Sequence, residues 1–192
     1  MSTVAGLRTA TWRSHQALEK RLDVKTRFSS TSAYREHLER MWGFCAELEQ
    51  RLAHHLTVDA LPDFEARRKA PLLVSDLRAL GADYASLERL PRCRDIPACD
   101  DAAAALGCAY VFEGATLGGR TLLPMVQSRL GLTADHGAAF LASYGGKVTA
   151  MWQTFGVALD AWCAIPQRQA AATAAAVETF DALNQWLCRD PP

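Results

Sequence analysis

The chain has 192 residues, 49% of them hydrophobic, and its 21 basic and 21 acidic side chains cancel to a formal net charge of zero. That length suits one domain with a self-supporting core, and the apolar content excludes a disordered chain. With no net field and no run of Lys or Arg, nucleic acid is not an expected partner.

Residues 1–15, MSTVAGLRTATWRSH, hold no continuous hydrophobic stretch of the kind a secretory signal needs, so the expected location is the cytoplasm. From Leu7, the steps to Thr11, His15, Leu18 and Leu22 trace one stripe of a helix, with Ser2 or Thr3 as its N-cap. A second helix carries Tyr34, Leu38, Met41, Trp42, Cys45, Leu48 and Leu52 on one face, opposite Arg35, Glu36, Glu39, Arg40, Glu47 and Arg51. Pro71 opens a short third helix over 72–80, which Gly81 ends. Residues 83–97 read as an irregular connection with at most one helical turn, because Pro91 and Pro97 lack amide donors.

A long apolar helix follows, from about Asp100 towards Leu130, interrupted by Gly114, Gly118, Gly119 and Pro124. Its longest apolar run, residues 102–112, falls well short of the ~20 residues of a membrane span, so no membrane partner is expected. Thr133 is read as the cap of a helix towards Tyr144, another runs from about Lys147 to Ala164, and Pro166 opens the last, through Leu187. No segment alternates as a strand would. The expectation is one all-α domain over residues 1–192.

Charge is thin in the second half. From Asp101 to Cys188 the charged residues are Asp101, Glu113, Arg120, Arg129, Asp135, Lys147, Asp160, Arg168, Glu178 and Asp181. That half is expected to be the more buried one, or to enclose something apolar. Cys45, Cys93, Cys99, Cys108, Cys163 and Cys188 form no C-x-x-C pair and are expected to be thiols.

Two features point to chemistry. His15 lies on the first apolar stripe, whereas His37, His54 and His55 fall on or near charged faces and His136 sits by a helix start. It is either a hydrogen-bonded core residue or a ligand. Glu19, one turn on, would tune the imidazole, and Arg8, two turns back, would hold an anionic group of whatever His15 binds. The second feature is YVFEGATLGGRTLLP, residues 110–124, with three glycines in an apolar helix, each costing about 1 kcal/mol relative to Ala. Either another helix packs closely there, or the Cβ-free surface lets backbone approach a flat ligand. The pattern lacks the Lys-Ser/Thr of a phosphate loop, and the chain contains no H-E-x-x-H, G-x-S-x-G or paired Glu-x-x-His.

Together these segments resemble a family. LRTATWRSHQALE, residues 7–19, resembles the proximal helix of haem oxygenases, and GCAYVFEGATLGGR, residues 107–120, resembles their distal helix. The wording is closest to a bacterial branch often found beside bacteriophytochromes, which APLLVSDLRALG and the later Tyr144, Gly145 and Trp152 also resemble. The resemblance implies a helical bundle with haem between a proximal N-terminal helix and a kinked, Gly-rich distal helix. It makes His15 the axial ligand of haem iron, with Glu19 and Thr11 beside it and Arg8 meeting a propionate. Gly114, Gly118 and Gly119 would lie over the haem face, Tyr144 would contact the haem, and Lys147 after it would meet the second propionate. Phe180 would line the pocket or serve as a core aromatic.

The activity so implied is cleavage of haem b, as substrate and cofactor, to biliverdin, carbon monoxide and ferrous iron. It uses O2 and electrons from a ferredoxin or NAD(P)H-dependent reductase, and biliverdin could pass to a bacteriophytochrome. One departure stands out: Ala115 occupies the place of a distal Asp that orders water in many members. Backbone carbonyls, with Thr116, would take over that task; the alternative is a haem-binding or carrier protein with impaired chemistry. A haem-free relative, such as the thiamin-degrading branch, gives no account of His15 with Arg8.

Overall fold

The computed structural model describes residues 2–188. Helix α1 (Thr3–Leu22) starts where Ser2, in extended backbone, accepts the Ala5 amide on its hydroxyl, so Ser2 rather than Thr3 is the cap. A left-handed Asp23 ends it and its carboxylate accepts the Thr26 amide of the short α2 (Val24–Arg27). Then come α3 (Thr31–Leu52), α4 (Phe64–Arg67) and α5 (Ala70–Ala79), the last with Pro71 in its first turn and Gly81 beyond its end at φ 88°. A single five-residue helix, α6 (Tyr84–Glu88), interrupts the irregular segment, as the prolines require. After it stand α7 (Ala102–Leu130), α8 (Ala139–Ala142), a 3-10 turn (Gly145–Lys147), α9 (Val148–Trp162) and α10 (Pro166–Leu187). Among the described residues there is no strand, only isolated bridges from Thr133 to His136 and Gly137.

The apolar face read for α3 is buried throughout, from Tyr34 to Leu52. Its back is covered as well: the Cys93 amide bonds the Gly43 carbonyl, and a Cβ on Gly43 would meet the Pro91 carbonyl at 2.3 Å. Arg51 pins the same segment by donating to the carbonyls of Ile96 and Pro97 at 2.6 and 3.3 Å. The alanine-rich α10 packs on both α1 and α7, and its small side chains allow a close approach. A Cβ on Gly107 would lie 2.1 Å from the Ala172 carbonyl oxygen.

Four expectations change. The glycines and Pro124 do not interrupt α7, which is helical from Ala102 to Leu130, because close packing of α10 and α8 on Gly107 and Gly119 offsets the propensity cost. Thr133 caps no helix: the helix there is α8 alone, and its first amides, Ala139 and Phe140, are capped by the carboxylate of Asp76 from α5 at 2.7 and 2.8 Å. The second half is not the more buried one; both halves bury side chains to a similar extent. His37, read as lying near a charged face, is buried at 5% exposure against Phe28, its Nδ1 without a partner.

Burial pushes the His37 pKa down to about 3, with Arg27 and Arg40 adding to the shift. The unfolded chain takes up this proton near pH 6.5, so the contribution of neutral His37 is complete above that value and is lost as pH falls towards about 3. Between pH 7 and pH 5 the loss is about 2 kcal/mol. Urea midpoints at the two pH values measure it, and His37→Leu should flatten the difference; an unchanged pH dependence in that variant would place the titration elsewhere.

Candidate functional site

Burial raises the pKa of the Tyr110 phenol on α7, and Thr11 and Arg8 of α1 stand near enough to oppose the rise. Thr11 is buried, its hydroxyl donating to the Leu7 carbonyl at 2.8 Å. Each helix packs mainly on α10, not on the other. One turn beyond Thr11 on α1 stands His15, and one and two turns beyond Tyr110 on α7 stand Gly114 and Gly118. His15 on α1 and the glycines of α7 are therefore the candidate walls of a cleft between the two helices. Phe180 of α10, 6% exposed, approaches the His15 ring edge-on at 5.6 Å, so it is both core aromatic and neighbour of the site.

His15 sits at the margin of the buried stripe, not within it. Its side chain is 44% exposed, yet Nδ1 is enclosed and makes no hydrogen bond. The open edge of the ring is then the one that carries Nε2. Glu19 Oε2 stands 3.5 Å from Nδ1 without a hydrogen bond between them. A carboxylate beside that nitrogen is the group that can fix the tautomer of a metal-binding imidazole. Trp12, 52% exposed, lies nearly parallel to the ring at 6.5 Å; the sequence reading passed over it. Leu117, 39% exposed, is a second uncovered apolar side chain, on α7 beside Gly118.

Helical spacing divides the glycine segment into two faces. Gly114, Ala115 and Gly118 are on the open side: a Cβ on Gly118 would have no heavy atom within 4 Å, and one on Gly114 would reach only the Trp152 ring at 3.9 Å. Thr116 and Gly119 point the other way. A Cβ on Gly119 would meet the Leu141 carbonyl of α8 at 2.5 Å, so that glycine serves helix packing. Thr116 is 6% exposed and its hydroxyl donates to the Glu113 carbonyl at 2.7 Å, which turns it away from the role in holding water at the open face that the sequence suggested.

Tyr144 is also engaged elsewhere than expected. Its hydroxyl donates to Glu113 Oε1 at 2.5 Å and accepts from Lys69 Nζ at 2.5 Å, inside a buried cluster completed by Arg67. Burial lowers the Lys69 pKa, against the pull of Glu113, and raises that of Tyr144, with Glu113 adding to the rise. The sequence signal for this cluster was Glu113 itself, a lone carboxylate in an apolar helix. Lys147 is exposed at the end of the 3-10 turn and Arg8 is exposed on α1, both accessible to an anionic group. A small cavity of ≈20 Å³ adjoins the cluster at Cys45, Glu49 and Phe112, and an open groove of ≈560 Å³ lies between residues 59–63 and α9; neither is lined by His15, Gly114 or Gly118.

An imidazole with one open edge on α1, together with the glycine-rich open face of α7, would suit a flat ligand with a metal at its centre. The chain matches the sequence profile described as "Heme oxygenase" over residues 1–189, and it belongs to the haem oxygenase family. Its fold is similar to that of the heme oxygenase from Neisseria meningitidis, solved with NO and CO bound, at a TM-score of 0.84 and 21% identity over 97% of this chain and 90% of that one. It is also similar to the heme oxygenase from Leptospira interrogans, at 0.81 and 18% over 98% and 99% of the two chains. Heme oxygenase 2 from Chlamydomonas reinhardtii, solved without heme, matches at 0.74 and 18% over 100% and 98%. No curated protein matches the chain in sequence.

Proposed function

We propose that the α1–α7 cleft takes haem as its substrate and that the protein is an active haem oxygenase, releasing biliverdin, carbon monoxide and ferrous iron. The observation that carries this reading is His15: an imidazole with its Nδ1 enclosed beside Glu19 and its other edge open. Such a nitrogen is a normal axial donor to haem iron. The haem supplies the oxygen chemistry once O2 and electrons from a ferredoxin or NAD(P)H-dependent reductase arrive.

The chain's own residues bind and orient. His15 ligates, with Glu19 holding its Nδ1 proton; Arg8 and Lys147 meet the propionates. Gly114, Ala115 and Gly118 bring backbone against the macrocycle where a side chain would collide. Ala115 has no polar group, so protons reach the distal side through water held by backbone carbonyls of α7. No helix of the described residues is long and apolar enough to cross a membrane, in keeping with work in the cytoplasm. Biliverdin would pass to an acceptor such as a bacteriophytochrome.

Adding one equivalent of hemin and then a reductant in air tests the proposal. A Soret band that decays as biliverdin absorption grows is the expected result. A persistent ferrous-oxy spectrum would make the protein a carrier, and no Soret shift on mixing would remove both readings.

A further inference from the structure

Glu113 is 3% exposed and immediately precedes Gly114. Its Oε2 accepts from Arg67 Nη1 at 2.6 Å, and its Oε1 from Lys69 Nζ at 3.2 Å and the Tyr144 hydroxyl at 2.5 Å. Arg67 in turn grips both oxygens of Asp63 at 2.6 and 2.8 Å, the Met151 carbonyl at 3.1 Å and the Thr154 hydroxyl at 2.9 Å. One carboxylate thus ties α7 to α4, to α9 and to the turn between α8 and α9. That turn is strained: Ser143 has φ 47° and ψ −112°, with its Oγ buried and unpartnered. Such a backbone persists only where its surroundings impose it, and the anchored neighbour Tyr144 does so. The same turn carries Lys147.

Buried ion pairs are a poor source of stability, and an apolar residue at 113 would be easier to bury. What they provide is a fixed register, since the charges are satisfied in one geometry only. We infer that the cluster of Glu113, Arg67, Lys69 and Tyr144 is a positioning device that fixes the rotation and height of the α7 glycine face over the cleft, and so selects which haem edge is opened. This rests on the haem reading above. Glu113 touches no substrate; it acts through Gly114 and Gly118.

Amide hydrogen exchange of the haem-free protein tests the positioning directly. In Glu113→Gln, exchange at residues 114–118 should quicken by about tenfold, while residues 175–183 of α10 keep their protection. Tyr144→Phe should act in the same direction, and the double variant should fall short of the sum, as for members of one network. In turnover, Glu113→Gln should change the distribution of biliverdin isomers, whereas Leu38→Ala, a core truncation on α3, should lower stability and leave the isomers as they are. Unchanged exchange at 114–118 would overturn the positioning role, and altered exchange with an unaltered isomer pattern would overturn its part in selectivity. Because exchange is read without haem, its result stands whatever becomes of the haem reading.

Discussion

His15→Ala is expected to abolish histidine ligation of haem and with it turnover, while leaving the fold intact. The side chain is 44% exposed and donates to nothing, so its loss should change stability by no more than about 0.5 kcal/mol. The effect on haem should be far larger. Loss of a group one shell behind a metal ligand costs roughly 10–100-fold in affinity, and loss of the ligand itself must exceed that. Glu19→Gln should sit at the lower end of that range, because it removes the charge beside Nδ1 and leaves the ring. Imidazole added to His15→Ala should restore an imidazole-ligated spectrum, since Trp12 and Phe180 still border the vacated space. Histidine ligation retained in the variant without added imidazole would refute the assignment.

The glycines of α7 should separate stability from binding. Gly119→Ala drives a methyl group to 2.5 Å from the Leu141 carbonyl, a backbone atom that cannot swing aside. A loss of about 1–3 kcal/mol is expected, read as a lower unfolding midpoint, with haem affinity little changed in the molecules that remain folded. Gly107→Ala, against the Ala172 carbonyl at 2.1 Å, should be at least as damaging. Gly118→Ala meets no atom within 4 Å and gains helix propensity, so the protein should be more stable by up to about 1 kcal/mol. Its methyl group enters the space assigned to haem, and affinity should fall by about tenfold or more. A Gly118→Ala protein that binds and degrades haem like the parent would place the macrocycle elsewhere.

Why some of this was legible in the sequence and some was not follows from range. Apolar spacing on α3, the Pro71 and Gly81 boundaries of α5 and the run of α10 are local signals, and local chemistry decided them. The cap of α8 was hidden because Asp76 is supplied by another helix, and no pattern around Thr133 encodes that. Gly118 and Gly119 are adjacent and chemically identical; only the place of α8 distinguishes the open one from the packed one. His15 was found by its stripe and by resemblance, although its exposure differs from what the stripe suggested. Tyr144 was assigned to haem on a sequence string, yet a buried charge cluster assembled from three separate segments holds its hydroxyl. Helix periodicity predicts which face is apolar; it does not predict which distant cation will meet a lone glutamate.

The most direct measurement of the central claim is the carbon balance of a single turnover. One equivalent of haem bound to the protein is reduced in air, and biliverdin and carbon monoxide are counted together. The account predicts one of each per haem consumed, with His15→Ala giving neither. Haem lost without biliverdin, or without an equal amount of carbon monoxide, would contradict it.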